Sequence, residues 1–542
     1  MEYFYAFLLL FGGLGAFLMG AKTVSDNTEK LANTKIRAMF NKTSKSKLAG
    51  VGIGAASTAI VQSSGLTTIM VVGLVNAGIM TLYQATTVIM GANIGTTITA
   101  QIASLQAFQF DKIAIAFTGI GMLMNMVAKK DKVKSIGFAI AGLGLVFMGL
   151  YLMKESMDSF SNDSVVTDLF HKINNPFLLL FLGIVLTALV QSSSAITSIL
   201  ISMASAGLVI GSGGNSVLFI ILGSNIGSCV TAIMSSIGAS RNAKRASLIH
   251  LMFNVFGSVL FIILLLLWPS FMDQTFGTWF KNTSTQIAMF HTAFNVICTI
   301  IFLPLTNGFV FLAKKLIKDK DEKEEIKTYL DKRFLQTPSL AIDATLREIN
   351  MLLDMAMESV SVALIGFDNR DISRKEEVDS INDNIGIISK NITDYLVETS
   401  ARQTSLEDEK AISALHHNNG DIVRISELAD NITKYTYKRV KEDLHFSDSV
   451  KVQVKDMHNT LEELCKNVKE TINTKNKECL KTVDEIEESI DNTRKVLVAS
   501  HIERMNAGIC KPASSNVFLN LVNNLERIGD HLSYIAHSVD EL

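Results

Sequence analysis

Four short polar runs stand out in this 542-residue chain because they occur where charge is absent. Gln62-Ser63-Ser64-Gly65 lies in a window from Leu48 to Phe110, and Gln191-Ser192-Ser193-Ser194 in one from Ile173 to Ser240. Neither window contains an Asp, Glu, Lys or Arg. Each polar run is followed by a glycine-flanked asparagine: Gly91-Ala92-Asn93-Ile94-Gly95-Thr96-Thr97, then Gly223-Ser224-Asn225-Ile226-Gly227-Ser228. Hydroxyls and amides in such apolar sequence are costly unless protein partners or a hydrated cavity satisfy them. A helix broken at Gln-Ser-Ser exposes unpaired N–H groups at a half-helix N-terminus, which attracts anions, and the short hydroxyls add donors. Gln62, Ser63, Ser64, Gln191, Ser192, Ser193 and Ser194 are therefore the candidate anion ligands. The asparagine runs are expected to interrupt their spans and free carbonyls that suit a small hard cation such as sodium. Asn93, Thr96, Thr97, Asn225 and Ser228, with Thr197 and Ser198, form the candidate cation set. An anion held without a nearby Lys or Arg has only dipoles, hydroxyls and a co-bound cation to offset its charge, so coupling to sodium is expected. The competing explanation is that Ser, Gly and Thr are small residues permitting close helix packing. In-register duplication of the polar runs favours the binding explanation.

The elements that must position these residues follow from composition. Residues 1–312 hold 18 Lys+Arg and 10 Asp+Glu, whereas residues 313–542 hold 32 and 42. Charge rises from about 9% to about 32% of residues across that boundary, a change of solvent rather than of soluble module. The first part belongs in lipid, which excludes a purely soluble enzyme, and the charge balance gives no case for nucleic-acid binding. Spans of about 20 apolar residues are expected at 3–21, 84–104, 112–128, 136–153, 216–236, 247–267 and 287–312. The stretches 48–78 and 177–207, apolar but interrupted by Gln and Ser, read as re-entrant hairpins. Only Glu2 precedes the first apolar run, so a cleaved signal peptide is not expected. The five cysteines, Cys229, Cys298, Cys465, Cys479 and Cys510, show no Cys-x-x-Cys spacing, which disfavours a disulfide framework or a zinc site.

The first part repeats itself. At an offset of 129, Gly13-Leu14-Gly15 falls on Gly142-Leu143-Gly144, Gly54 on Gly183, Thr58-Ala59 on Thr187-Ala188, and Gln62-Ser63-Ser64 on Gln191-Ser192-Ser193. At 132, Gly91–Thr96 falls on Gly223–Ser228. Three crossings per repeat, an odd number, insert the second copy upside down, with repeat one at 1–128, repeat two at 136–268 and an extra span at 287–312. Loop charge agrees. Lys22 to Lys47, Lys129 to Lys134, Arg241 to Arg245 and Lys314 to Lys318 fall on one side, and the acidic loop 154–172 on the other. The positive-inside rule then places the N-terminus outside and the C-terminal half in the cytoplasm of a multi-pass cell-membrane protein.

The paired Gln-Ser-Ser hairpins, each followed by Gly-x-Asn-x-Gly, resemble the type II sodium-dependent phosphate cotransporter family over nearly all of residues 1–312. The resemblance implies sodium-driven import of inorganic phosphate by alternating access, with sodium as coupling ion and both Gln-Ser-Ser regions shaping the sites. Gly65 departs from the family pattern, which has a third Ser there, whereas Ser194 keeps it. A second duplicated motif, His-x-x-Phe-Asn at His250/Asn254 and His291/Asn295, reads as a metal pair or, preferably, as hydrogen bonding to neighbouring helices.

After the charged linker 313–338, a helical period runs through 339–542, with six helices expected near 339–367, 373–400, 406–442, 447–473, 476–507 and 513–539. At an offset of 103, Arg424-Ile425 falls on Arg527-Ile528, Glu427 on Asp530, and Ile432 on Ile535. Leu525-Glu526-Arg527-Ile528-Gly529-Asp530-His531 resembles the signature of the PhoU family of phosphate-signalling helical bundles. That resemblance implies a divalent metal held by Glu-x-x-x-Asp pairs, with Glu427, Glu526 and Asp530 as candidates, although Val423 stands where the first copy's Glu is expected. The all-α chain thus reads as a polytopic transporter joined to a cytosolic six-helix regulatory bundle, with a cytosolic regulatory protein as a further partner and a homodimer left open. The rivals are a non-transporting phosphate sensor and a sodium-coupled transporter of another small anion. No Gly-x-Ser-x-Gly, His-Glu-x-x-His or Walker-type loop supports an enzyme.

Overall fold

The computed structural model describes residues 2–41, 46–108, 110–211, 214–318, 328–402, 404–508 and 512–542. Residues 319–327 of the linker and Cys510 lie outside the described residues. All regular structure among the described residues is helical, and the chain divides into two compact units, Met1–Ile326 and Lys327–Leu542.

The first unit contains α1 (Glu2–Asn41), α2 (Lys47–Val61), α3 (Ser64–Asn76), α4 (Leu82–Ser104), α5 (Asp111–Ala114), α6 (Ala116–Val127) and α7 (Asp131–Ser161). It continues with α8 (Ser164–Lys172), α9 (Pro176–Val190), α10 (Ser193–Ser205), α11 (Ser216–Gly227), α12 (Cys229–Ser235) and α13 (Arg241–Leu267). It closes with α14 (Phe271–Gln274), α15 (Phe276–Trp279), α16 (Thr283–Phe302) and α17 (Thr306–Leu316). By length and composition, Tyr3–Ala32, Asp131–Ser161, Ser216–Ser235, Arg241–Leu267 and Thr283–Phe302 can cross a membrane. The second unit's Pro338–Asn369 passes the same test, but its apolar length lines a helical core instead.

Close backbone contact through glycine organises the first unit. A Cβ on Gly54 of α2 would strike the Val88 carbonyl of α4, and one on Gly91 of α4 would strike the Val51 carbonyl of α2. The counterparts repeat the arrangement, Gly183 of α9 against the Ile220 carbonyl and Gly223 of α11 against the Leu180 carbonyl. The duplication seen in sequence is therefore a duplication of contacts. The two equivalent long helices, α1 and α7, pack on one another antiparallel: Gly13 lies against Gly149 and Met153, and Gly20 against Gly142 and Val146.

Four expected spans differ from the structure; one of them, 112–128, is divided at Ile115 into α5 and a 12-residue α6. The first is not a 19-residue span but the opening of a 40-residue helix. The last, 287–312, is interrupted between Phe302 and Thr306, where Pro304 supplies no backbone N–H. The expected break at Gly91–Thr97 is absent, since α4 runs unbroken from Leu82 to Ser104, and the second copy shows only a one-residue irregularity at Ser228. Those glycines serve helix contact rather than helix breaking.

The second unit contains α18 (Pro338–Asn369), α19 (Arg374–Ser400), α20 (Leu406–Lys441), α21 (Asp448–Thr474), α22 (Glu478–Asn506) and α23 (Pro512–His537), each within a few residues of its expected bounds. Its core is aliphatic, and the repeat-equivalent pairs Ile425/Ile528 and Ile432/Ile535 are fully buried. Ahead of α18, the Glu348 carboxylate accepts from the Tyr329 N–H at 2.7 Å and the Thr328 hydroxyl at 3.1 Å, docking that entry segment onto the bundle.

Gly91→Ala is expected to destabilise the first unit by about 3 kcal/mol through overpacking against backbone. Gly12→Ala, where the space is open, should be neutral. Comparing melting temperatures and monodisperse yield of the two variants checks this, and equal behaviour would refute a glycine-built contact.

Candidate anion and cation site

Both Gln-Ser-Ser runs fold identically. Gln62 ends α2 in the left-handed region at φ 56°, its N–H donating to the Thr58 carbonyl at 2.7 Å. Gln191 ends α9 at φ 57°, donating to the Thr187 carbonyl at 2.7 Å. A non-glycine residue there costs roughly 1 kcal/mol or more and persists when surrounding structure enforces it. The next residue reverses the chain and caps the next helix. Ser63 Oγ accepts from the Leu66 N–H and Ser192 Oγ from the Ala195 N–H, both at 3.2 Å. Capping leaves the N–H groups of Ser64 and Gly65, and of Ser193 and Ser194, without intrahelical acceptors, pointing out of the N-termini of two 13-residue helices. Oriented donors without charged side chains are what an oxyanion requires of a neutral site.

The two copies differ in their glutamines. Gln62 is tied in place, with Nε2 donating to the Ala59 carbonyl at 2.5 Å and Oε1 accepting from the Thr99 hydroxyl at 2.9 Å. The Gln191 side chain is exposed and makes no hydrogen bond among the described residues, so it is the one free to reach a ligand. A Cβ on Gly65 would lie 3.4 Å from Thr231 Cγ2, so the first tip abuts α12 of the second repeat. No hydrogen bond joins Gln62–Ser64 to Gln191–Ser194 among the described residues.

Among the candidate cation residues, Asn93, Thr96, Thr97, Thr197, Ser198 and Asn225 are all buried, and Ser228 is half-buried. Thr96, Thr97 and Ser228 spend their hydroxyl protons on carbonyls of their own helices, at 3.0, 2.7 and 2.7 Å. Their oxygens remain able to accept a cation. Thr197 Oγ1 and Ser198 Oγ are buried with no partner, an arrangement that native interiors avoid unless a ligand or water completes it; Asn93 Nδ2 is also unpartnered, but as an amide donor it would meet an acceptor rather than a cation. With α4 unbroken, the oxygens that helix presents are those of side chains rather than freed main-chain carbonyls. Sequence reasoning missed the hydroxyl pairs Thr58–Thr67, at 3.0 Å, which joins the two arms of the first hairpin, and Thr187–Ser224, at 2.8 Å, which ties the second hairpin's α9 to α11. The register match of Thr58 to Thr187 was their only signal.

The PhoU-type metal ligands do not fit a metal centre. No group of three or more His, Cys, Asp or Glu among the described residues is placed to hold an ion. Glu427 pairs with Arg424 at 2.6 Å, while Glu526 pairs with Arg494 at 3.3 Å, and Arg494 also meets Asp491 at 3.0 Å. The guanidinium already supplies positive charge between those carboxylates. Burial raises the pKa of Glu487, Glu526 and Asp530, and neighbouring carboxylates raise it further. Hydrogen bonds from Lys495 and Arg494 lower that of Asp491.

The membrane-unit sequence matches the Na+/Pi-cotransporter family model over residues 16–155 and 149–270, and residues 454–539 match the PhoU domain model. YjbB of Escherichia coli (strain K12), named as a candidate inorganic phosphate export protein, is 23% identical over 406 residues, 74% of this chain and 73% of its own length. Sodium-dependent phosphate transport protein 2A of Mus musculus is 39% identical over 110 residues, which span 19% of this chain and 17% of that protein. PhoU from Pseudomonas aeruginosa, a crystal structure, aligns at a TM-score of 0.33 and 20% identity, covering 38% of this chain and 96% of that one.

A carboxyl whose folded pKa lies above its unfolded value is ionised at neutral pH at the expense of folding, and that penalty fades as pH falls toward about 4. Glu487→Gln should therefore raise the melting temperature of the bundle at pH 7 by about 2 °C. The gain should vanish near pH 4, and a gain independent of pH would show that its origin is not electrostatic.

With matched models on both sides of the linker, residues 16–270 belong to the Na+/Pi-cotransporter family and residues 454–539 to the PhoU domain family.

Proposed function

We propose that the protein is a sodium-coupled secondary transporter that imports inorganic phosphate by alternating access, with the PhoU-type bundle as a cytosolic regulatory domain. The observation that carries this reading is the duplicated helix break: a left-handed Gln, a Ser cap and free N–H groups, twice, in sequence without charge. Phosphate is held by the N–H groups and hydroxyls at Ser63–Ser64 and Ser192–Ser194, with Gln191 reaching in and Gln62 fixing the first tip. Sodium is held by oxygens among Asn93, Thr96, Thr97, Asn225, Ser228, Thr197 and Ser198, and its charge replaces the absent Lys or Arg. The antiparallel packing of repeat-equivalent α1 and α7 supports an inverted topology, and the loop charges support an outside N-terminus with the bundle in the cytoplasm.

Phosphate export is the second reading, favoured by the similarity to YjbB over 74% of this chain. The same site serves either direction, because a secondary transporter follows the combined gradients. Radiolabelled phosphate flux in proteoliposomes, measured with inward, absent and outward sodium gradients, separates the cases. Import driven by inward sodium supports the first reading. Flux indifferent to sodium would defeat coupling, and binding without flux would leave a sensor.

Gln191→Ala and Ser192→Ala should each lower the initial rate by about tenfold or more, the worth of one hydrogen bond to a charged ligand. Ser192→Ala also removes a cap worth about 1 kcal/mol, so its melting temperature is read alongside. Uptake at the wild-type rate by Gln191→Ala would contradict a direct role.

A further inference from the structure

The His-x-x-Phe-Asn motif of α13 has no part in the anion site, yet it bonds to the first asparagine run directly and reaches the second through Cys229. His250 Nε2 lies 3.4 Å from Asn93 Oδ1 on α4. One turn along α13, Asn254 Nδ2 donates to the His250 carbonyl at 3.1 Å and to Cys229 Sγ at 3.2 Å. The Cys229 thiol lies 3.6 Å from the carbonyl of Asn225, the asparagine of the second run, and 3.6 Å from that of His250. A continuous polar path, Asn93–His250–Asn254–Cys229–Asn225, therefore crosses from repeat one to repeat two through α13. None of its five residues is more than 5% exposed.

Two features separate this path from ordinary packing. First, it is left incomplete at Asn93, whose Nδ2 is buried and unpartnered; His250 Nδ1 and Asn254 Oδ1 are unpartnered as well, as are His291 Nδ1 and Asn295 Oδ1 of the duplicate motif. Second, the duplicate motif on α16 does not reproduce the link. Asn295 Nδ2 donates to the His291 carbonyl at 2.9 Å, as in the first copy, but neither His291 nor Asn295 hydrogen-bonds to an asparagine run among the described residues. Common ancestry of the motif thus does not explain the contact with Asn93.

We infer that His250, Asn254 and Cys229 are positioning residues that fix the two asparagine runs relative to one another and so set the geometry in which sodium is bound. This rests on the sodium-transport reading above. The contact requires the proton on Nε2 if Asn93 presents its oxygen, so the imidazole acts as the donor from a long helix. Removing it leaves Asn93 free to turn away from the cation while the Ser-capped hairpins are untouched.

The test is sodium-dependent phosphate uptake by the full-length protein in proteoliposomes. His250→Ala should raise the half-saturating sodium concentration by about three- to tenfold, the worth of one net hydrogen bond. The maximal rate and the phosphate KM at saturating sodium should change less than twofold. His250→Gln, whose terminal amide can occupy the place of Nε2 and donate to Asn93 Oδ1, should recover most of the sodium affinity. Cys229→Ala, which severs the second end of the path, should shift sodium in the same direction by about twofold and stands in if His250→Ala does not fold. A purely structural role would lower yield, rate and both affinities together and give no rescue by Gln, and that outcome would overturn the inference. Wild-type protein indifferent to sodium would defeat the transport reading instead. In that event a thermal double-mutant cycle between His250→Ala and Asn93→Ala still decides the contact: non-additive melting shifts sustain it, and additive ones overturn it.

Discussion

An anion cannot be brought into an apolar protein interior without something to offset its charge, and here no Lys or Arg is available in the two windows that carry the polar runs. The remaining resources are helix ends, hydroxyls and companion ions. For the phosphate transport proposed here, the rest of the membrane unit follows from that constraint. Helices must be broken to create ends, the breaks must be held open at a conformational cost, and the surrounding helices must approach closely enough to exclude lipid from exposed backbone. Left-handed Gln62 and Gln191 meet the second need, and the glycine contacts of α2 with α4 and of α9 with α11 meet the third.

The PhoU-type bundle obeys a different constraint. Its helices are amphipathic, its core is largely aliphatic with a few satisfied polar groups such as Glu348, and its carboxylates face one another in partly exposed clefts. There charge is abundant and is balanced internally by Arg494 and Lys495. One chain therefore contains a site that lacks fixed charge and clefts that are saturated with it.

How much of this was legible in the sequence depended on the range of the signal. The bundle helices were readable because apolar period, Pro338 and turn residues all act locally. The hairpins were readable because an apolar run interrupted by Gln-Ser-Ser has few other solutions, and their duplication removed the ambiguity. Gly91 and Gly95 were misread as breaking a helix because glycine serves equally to interrupt a helix and to let another approach, and only the position of α2 distinguishes the two. The link from His250 to Asn93 spans 157 residues, and nothing in the spacing of either motif announces it. Nothing in the PhoU signature itself announces that Arg494, on a different helix, pairs with Glu526.

The seam between α1 and α7 is an isologous interface inside a single polypeptide. Gly13 meets Gly149 as Gly20 meets Gly142, the self-complementary pattern that two copies of one subunit make about a two-fold axis. In a dimer of identical subunits, every substitution is imposed on both sides at once. Within one chain the two halves can change separately. Gly65 opposite Ser194, and a tethered Gln62 opposite an untethered Gln191, are changes that only a fused arrangement permits. Such a seam keeps the two halves in register while allowing one hairpin tip to be tied down and the other left free.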